Sequence, residues 1–474
     1  TPPRWHLITA DSRSPQAEIR PTRHGSGPFE LYAWQADALS AWHDQDRRGV
    51  IEAITGAGKT MIGLVAAWEE LESGGTVQVL VPSIVLLNQW AELLTIHLPG
   101  KQIGRLGGGE RDGLEDVDVL VSVINSAREV EVDPAGRHAL IIADECHRYA
   151  TLRNAHALDE DVFESRLGLS ATYARTDDGH LDLLDPFFGG TCYEFGYSDA
   201  LRNEVTAHFK VSLVAVDFDD EERSVYTESD EQARRHRSWL INNAGVRPEP
   251  FGLFMQDISA LAEGGHEEGT VRSRGYLHAF NARRKILAET RSKLELLDEL
   301  VPAIESADKT LVFTETQESS EDAAEKLESW GLGAAAIHAQ IPLEVRKQLL
   351  SDFARGSISV LCAPRVLDEG VDVPAADLGV ILAASHSQRQ MIQRMGRLLR
   401  RKSDGRLARF VISFVRDTSE DPNTGAHETF LERITEVADE VSLFNGVNQA
   451  DEVCAFLNDY QWLGPIPQPL MAAD

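Results

Sequence analysis

Residues 53 to 60 read Ala-Ile-Thr-Gly-Ala-Gly-Lys-Thr, at the end of the apolar run VIEAI and before the helix-like stretch MIGLVAAW. Glycines at 56 and 58 let successive backbone N–H groups turn inward around an anion at the mouth of a helix. Lys59, on the first turn of that helix, would reach the outer phosphates of a nucleotide, and the Thr60 hydroxyl suits a magnesium ion. Strand, glycine loop and helix in this order predict a phosphate-binding loop, with Thr55, Gly56, Ala57, Gly58, Lys59 and Thr60 as its lining and ATP with Mg²⁺ as its ligands. A plain glycine turn capping a helix is the alternative, and the Lys59-Thr60 pair in this context argues against it.

A phosphate loop needs an acidic partner at the tip of a later buried strand. ALIIADECH, residues 139 to 147, supplies one. Asp144 is the expected Mg²⁺ ligand, and Glu145 the base that orients and deprotonates the attacking water. Alone, Asp-Glu after an apolar strand is an ordinary strand end; beside Lys59 it reads as the catalytic pair. His147 could link the site to the rest of its domain.

Elements that position such groups are visible as short apolar runs alternating with amphipathic stretches. VIEAI, VQVLV, VDVLVSV, ALIIADE and RLGLSAT form one series, and TLVFTET, AAAIHA, ISVLCAP, LGVILAA and RFVISFV a second. Each predicts a parallel sheet covered by helices, so the fold class is α/β with two such domains in tandem. The expected boundaries are an N-terminal arm at 1–28, a first domain at 29–216 carrying the phosphate loop, a helical insertion at 217–290, a second domain at 291–416 and a helical tail at 417–474. The tail helix is expected around ETFLERITEVADEVSLF. At 474 residues the chain is too long for a single core. No apolar run approaches the roughly 20 residues of a membrane span, and no secretory signal opens the sequence, so a cytoplasmic protein without membrane contact is expected. Four separated cysteines without a CxxC pair predict free thiols rather than zinc or disulfides.

The motifs, taken in order, resemble helicase superfamily 2, whose members carry an A-x-x-G-x-G-K-T loop and a D-E-x-H box. The resemblance spans about residues 30 to 415, and Ala53 is then the expected residue at its position. It implies two RecA-like domains, with Gln35 of LYAWQADAL reading adenine and Ser170-Ala171-Thr172 coupling hydrolysis to domain movement. In the second domain VLDEGVDVP, residues 366 to 374, resembles motif V, which implies that Gly370 and Asp372 approach the ribose and the nucleic-acid backbone. QMIQRMGRLLR, residues 390 to 400, resembles motif VI; Arg397 and Arg400, three apart on one helix face, are then the arginine fingers, with Gln393 and Arg394 tying the helix to the nucleotide.

The wording of these motifs looks most like the XPB-like and restriction-helicase branch. That implies a DNA helicase or translocase, running 3′ to 5′, in DNA repair or phage defence and with protein partners there. Pro82, Ser83, Ser122, Asn125, Thr314 and Thr316 are the expected backbone contacts, and arginines at 234, 235, 237, 272, 274, 283 and 284 could grip a duplex. The formal charge of −30 argues the other way, because affinity for phosphates comes from Lys and Arg, and only a local basic lining reconciles the two. An RNA helicase, and a nucleotide-driven remodelling subunit without unwinding, remain as alternatives.

Overall fold

The computed structural model describes residues 28–174, 179–203, 205–249, 251–265, 267–364, 376–382, 407–424, 438–446 and 449–459. They fall into two compact units, one up to Thr206 and the other from Ala207 onward. The first unit holds strands β1 (Arg48–Ala53), β2 (Thr76–Val81), β3 (Ile103–Gly107), β4 (Glu110–Arg111), β5 (Val119–Val123), β6 (Ala139–Asp144), β7 (Ser165–Ser170) and β8 (Thr191–Phe195). Their order is β4-β3-β5-β2-β6-β7-β1-β8, parallel except for the short β3–β4 hairpin. Every residue of β2, β5, β6 and β7 is buried. A parallel sheet covered on both faces requires this, and it explains why these strands read as unbroken apolar runs.

Three helices carry the argument that follows: α1 (Ala33–Asp44), α2 (Lys59–Glu72) and α3 (Ile84–His97). In α1, Trp34, Ala38 and Trp42 recur every fourth residue and form the buried face, and Trp34 stacks on Phe195 of β8 at 4.3 Å. Gln35 sits beside that face and is 2% exposed.

The second unit contains β9 (Phe209–Val216), β10 (Thr310–Phe313), β11 (Ala334–Ala336), β12 (Val360–Ala363), β13 (Leu378–Ile381), β14 (Ala408–Val415) and β15 (Glu440–Asn445). Their order is β11-β12-β10-β13-β14-β9-β15, with every pair parallel. Two boundaries read from the sequence change. Residues 209–216, expected at the end of the first domain, pair in full register with β14 and belong to the second sheet. Within the expected helical tail, residues 440–445 are a strand on β9, followed by the helix Ala450–Asn458. Burial decides the first, because the apolar side chains of VSLVAV are shed only against a sheet, whereas in VSLF only Phe444 is buried and the parallel pairing with β9 defines the strand.

Between β9 and β10 the chain forms the helices Asp220–Asn243, Phe251–Ala262 and Glu268–Glu289, with their own apolar core around Leu240, Phe254, Ile258 and Tyr276. Asp219 caps the first helix in a capping box with Glu222. Among the described residues no helix is long and apolar enough to cross a membrane. Cys146, Cys192, Cys362 and Cys454 are free thiols.

Candidate nucleotide and metal site

β1, β6 and β7 are neighbours in one parallel sheet, so the segments that follow them emerge at the same edge. Ligands of open α/β sheets bind at that carboxyl edge. After β1, Gly56 (φ 85°) and Gly58 (φ 96°) take the left-handed conformation, and Gly58 caps α2. Only glycine does this without strain. Lys59 is half-buried, and its Nζ donates to the carbonyls of Ala53 at 2.7 Å and Ile54 at 3.2 Å, folding over the loop. Burial holds the Lys59 ammonium below its ordinary pKa, while Glu145, Asp144 and Glu52 pull it back up.

Gln35 is pinned to this loop. Its amide nitrogen donates to Gly58 O at 3.0 Å, and its carbonyl accepts the Tyr32 N–H at 2.9 Å. A Cβ at position 58 would lie 2.8 Å from the Gln35 nitrogen, so the glycine is needed for this approach as well as for its φ.

At the end of β6, Asp144 is 9% exposed. Its Oδ2 accepts the indole N–H of Trp90 on α3 at 2.8 Å, and its Oδ1 accepts the Glu145 N–H at 3.0 Å. Burial pushes its carboxyl above the ordinary range; the Trp90 donor and the nearby Lys59 oppose that shift. Glu145 adopts φ 50°, ψ 45°, a conformation that a residue with a Cβ rarely takes and that costs on the order of 1–3 kcal/mol. The turn throws its side chain off the strand line, where Oε2 lies 3.4 Å from His147 Nδ1. His147 also shares a 2.9 Å hydrogen bond with Ser170 Oγ, which in turn accepts the Thr172 N–H at 3.1 Å. The Asp-Glu-Cys-His and Ser-Ala-Thr segments are thus one hydrogen-bonded unit.

The residues present suit a nucleoside triphosphate with a divalent cation. The Thr55 hydroxyl is buried with no protein partner, a lysine bends over two glycines in an anion-binding conformation, and a buried carboxylate stands beside them. Lys59, Thr60, Asp144 and Glu145 meet at one sheet edge. Gly370, Asp372, Gln393, Arg394, Arg397 and Arg400 lie outside the described residues.

Among the expected polymer contacts, Ser83 caps α3 by accepting the Leu86 N–H at 3.4 Å, and Asn125 is exposed at the start of a short helix. Ser122 and Thr314 do not qualify. Ser122 is fully buried and accepts from Gln78 at 3.0 Å; Thr314 is 1% exposed and donates to Thr316 O at 3.2 Å. Most insertion arginines are staples rather than free cations. Arg234 and Arg283 bind Asp230, Arg237 binds Glu249, Arg272 binds Glu268, Arg274 donates to Ala262 O and Gly264 O, and Arg284 binds Glu315.

Trp90 is the member of the site that the sequence reading missed. Its only signal was a large aromatic seven residues after Ser83, which at helical spacing reads as core.

Comparison with known proteins agrees with this geometry. Residues 28–175 match the family model described as the type III restriction enzyme res subunit, and residues 292–402 match the helicase conserved C-terminal domain. The DNA 3'-5' translocase XPB2 of Sulfurisphaera tokodaii is 28% identical over 376 residues, 79% of this chain and 79% of that protein. A putative DNA 3'-5' helicase Rad25 of Haloarcula marismortui is 27% identical over 405 residues, 83% of this chain but 54% of the relative. In fold, the chain resembles S. cerevisiae Dbp5 bound to RNA and ADP BeF3, with a TM-score of 0.57 at 14% identity over 90% of this chain and 92% of that one. With the res-subunit model matching the first unit, the helicase C-terminal model matching the second, two RecA-like sheets and XPB-type relatives along most of its length, the chain is a superfamily 2 helicase similar to the XPB-like branch, and is an ATP-hydrolysing enzyme.

Proposed function

We propose that this protein couples ATP hydrolysis to movement along DNA in the 3′-to-5′ direction. The observation that carries the reading is the meeting of Lys59, Asp144 and Glu145 at the carboxyl edge of one parallel sheet, and the relatives described as DNA 3'-5' translocase and helicase support its direction and polymer.

In this reading Lys59 gives up its carbonyl partners for the outer phosphates of ATP. Glu145 takes the proton of the attacking water, and its strained backbone aims the carboxylate away from β6. Thr60 and Asp144 would hold Mg²⁺, which when bound would supply positive charge against the phosphate oxygens. His147 and Ser170 carry the state of the site into the neighbouring strand. The resemblance of residues 390–400 and 366–374 to motifs VI and V supports Arg397 and Arg400 as charge-stabilising fingers and Gln393, Gly370 and Asp372 as nucleotide contacts, all of them outside the described residues. Protein partners of a repair or defence complex would set where the motor acts.

The deciding experiment measures ATPase rate with single-stranded DNA, double-stranded DNA and RNA. DNA is expected to stimulate more than RNA, and Lys59→Ala to abolish hydrolysis with every polymer. Full stimulated activity in Lys59→Ala would sink the mechanism. Stronger stimulation by RNA would favour an RNA helicase, and indifference to all three a remodelling subunit.

A further inference from the structure

Trp90 is 1% exposed and lies on α3, 54 residues before the carboxylate that its indole N–H binds. Three features make this contact specific. Its ring fits only because residue 63 of α2 is glycine: a Cβ there would stand 2.7 Å from the Trp90 Cη2. The donor holds Oδ2 while the Glu145 N–H holds Oδ1, so both oxygens of Asp144 are fixed and the carboxylate cannot rotate. The donor is also neutral, whereas a lysine or arginine in its place would compete with a metal ion for the same charge.

α3 begins at Ser83, whose side chain caps its first turn. Trp90 is seven residues further on, about 10 Å along the axis at 1.5 Å per residue. We propose that Trp90 is the positioning residue of Asp144, and that α3 thereby transmits engagement of DNA at its Ser83 end to the metal-side carboxylate. The inference rests on the reading of Asp144 as a metal ligand and of Ser83 as a DNA contact. A rigid helix with its N-terminus at Ser83 and its midpoint at the Asp144 carboxylate converts a small displacement at Ser83 into a movement of the indole donor.

The full chain is assayed for ATPase against ATP and against Mg²⁺, with and without single-stranded DNA, alongside thermal melting. Trp90→Phe keeps most of the ring and removes the donor. It is expected to leave KM for ATP within about threefold and to lower kcat about tenfold or more, with a matching rise in half-activating Mg²⁺. Stimulation by DNA should fall towards none. Gly63→Ala pushes the ring instead: it should lower both melting temperature and kcat. In the double variant Gly63→Ala/Trp90→Phe the clashing Cη2 atom is gone, so the melting temperature should recover while kcat stays low.

Wild-type kcat and Mg²⁺ dependence in Trp90→Phe, or recovery of kcat together with stability in the double variant, overturns the proposal. If Trp90→Phe does not fold, Gly63→Ala decides: unchanged kcat and Mg²⁺ dependence overturn it. Lys59→Ala separates the two levels. An active Lys59→Ala refutes the underlying ATPase reading, whereas an inactive Lys59→Ala beside an unimpaired Trp90→Phe refutes only the positioning role.

Discussion

Glu145, the base of the proposed mechanism, is a strained residue, with φ at 50° immediately after the buried strand β6. Because the left-handed turn costs energy that glycine would not incur, the strain is retained for the side chain it presents. Glu145→Gln should therefore keep ATP affinity and lose hydrolysis by about 10² to 10⁴-fold, the usual contribution of a general base, measured as single-turnover rate beside nucleotide binding. A binding defect of similar size would show that Glu145 holds the nucleotide rather than the water. Residues such as Lys59, Thr60, Asp144 and Glu145 were legible in the sequence because their spacing is local to one loop or one strand tip. Gln35 was legible only through family resemblance, and its attachment to Gly58 was not, since the two residues are 23 apart and meet by folding. Trp90 was hidden for a simpler reason: an aromatic residue that fills a core and one that donates a hydrogen bond from that core look alike until the acceptor is placed.

Among the elements, the ten strands read from apolar runs correspond to β1, β2, β5, β6, β7 and β10 to β14, whose burial makes their sequences continuous. β4 and β8, at the edges of the first sheet, and β3 beside β4 escaped because they carry Gly, Arg, Glu or Thr and so lack that signature, while β9 and β15 were hidden inside segments assigned to the first domain and to the helical tail. The helices between β9 and β10 were legible by their length, but the use of their arginines was not, because acidic partners one turn away, on another helix or in a loop cannot be told apart from solvated charges by spacing alone. One such pair gives a pH prediction. Arg247 donates to Asp257 through Nε at 2.9 Å, Nη2 at 2.5 Å and its backbone N–H at 3.1 Å. This arrangement holds the Asp257 carboxyl at about 2, below its ordinary 3.8. The folded-state value is depressed, so the stabilisation is fully present above about pH 4 and disappears as pH falls towards 2. Hydrogen exchange in the helix Phe251–Ala262, taken relative to the intrinsic amide rate at each pH, should accelerate across that window in the wild type. In Asp257→Asn it should already be faster at neutral pH and change little between pH 4 and 2.

For the molecule as a whole, a formal charge of −30 is an unusual carrier for a polyanion. Long-range attraction should be absent, and binding should depend on the few local cations that reach the backbone. The DNA concentration giving half-maximal ATPase stimulation should rise about tenfold between 50 and 200 mM salt if only two phosphates are neutralised, and far more steeply if six or more are. ATP hydrolysis without DNA should change little over the same range, which separates loss of grip from loss of catalysis. The pairing of β9 has a consequence for synthesis. Val211, Val214 and Val216 leave the ribosome just after the first unit is complete, yet their sheet partners in β14 follow almost 200 residues later. During that interval an apolar strand with two open edges must be kept from neighbouring nascent chains, so the second unit is the half of this motor most exposed to misassembly and to chaperone dependence.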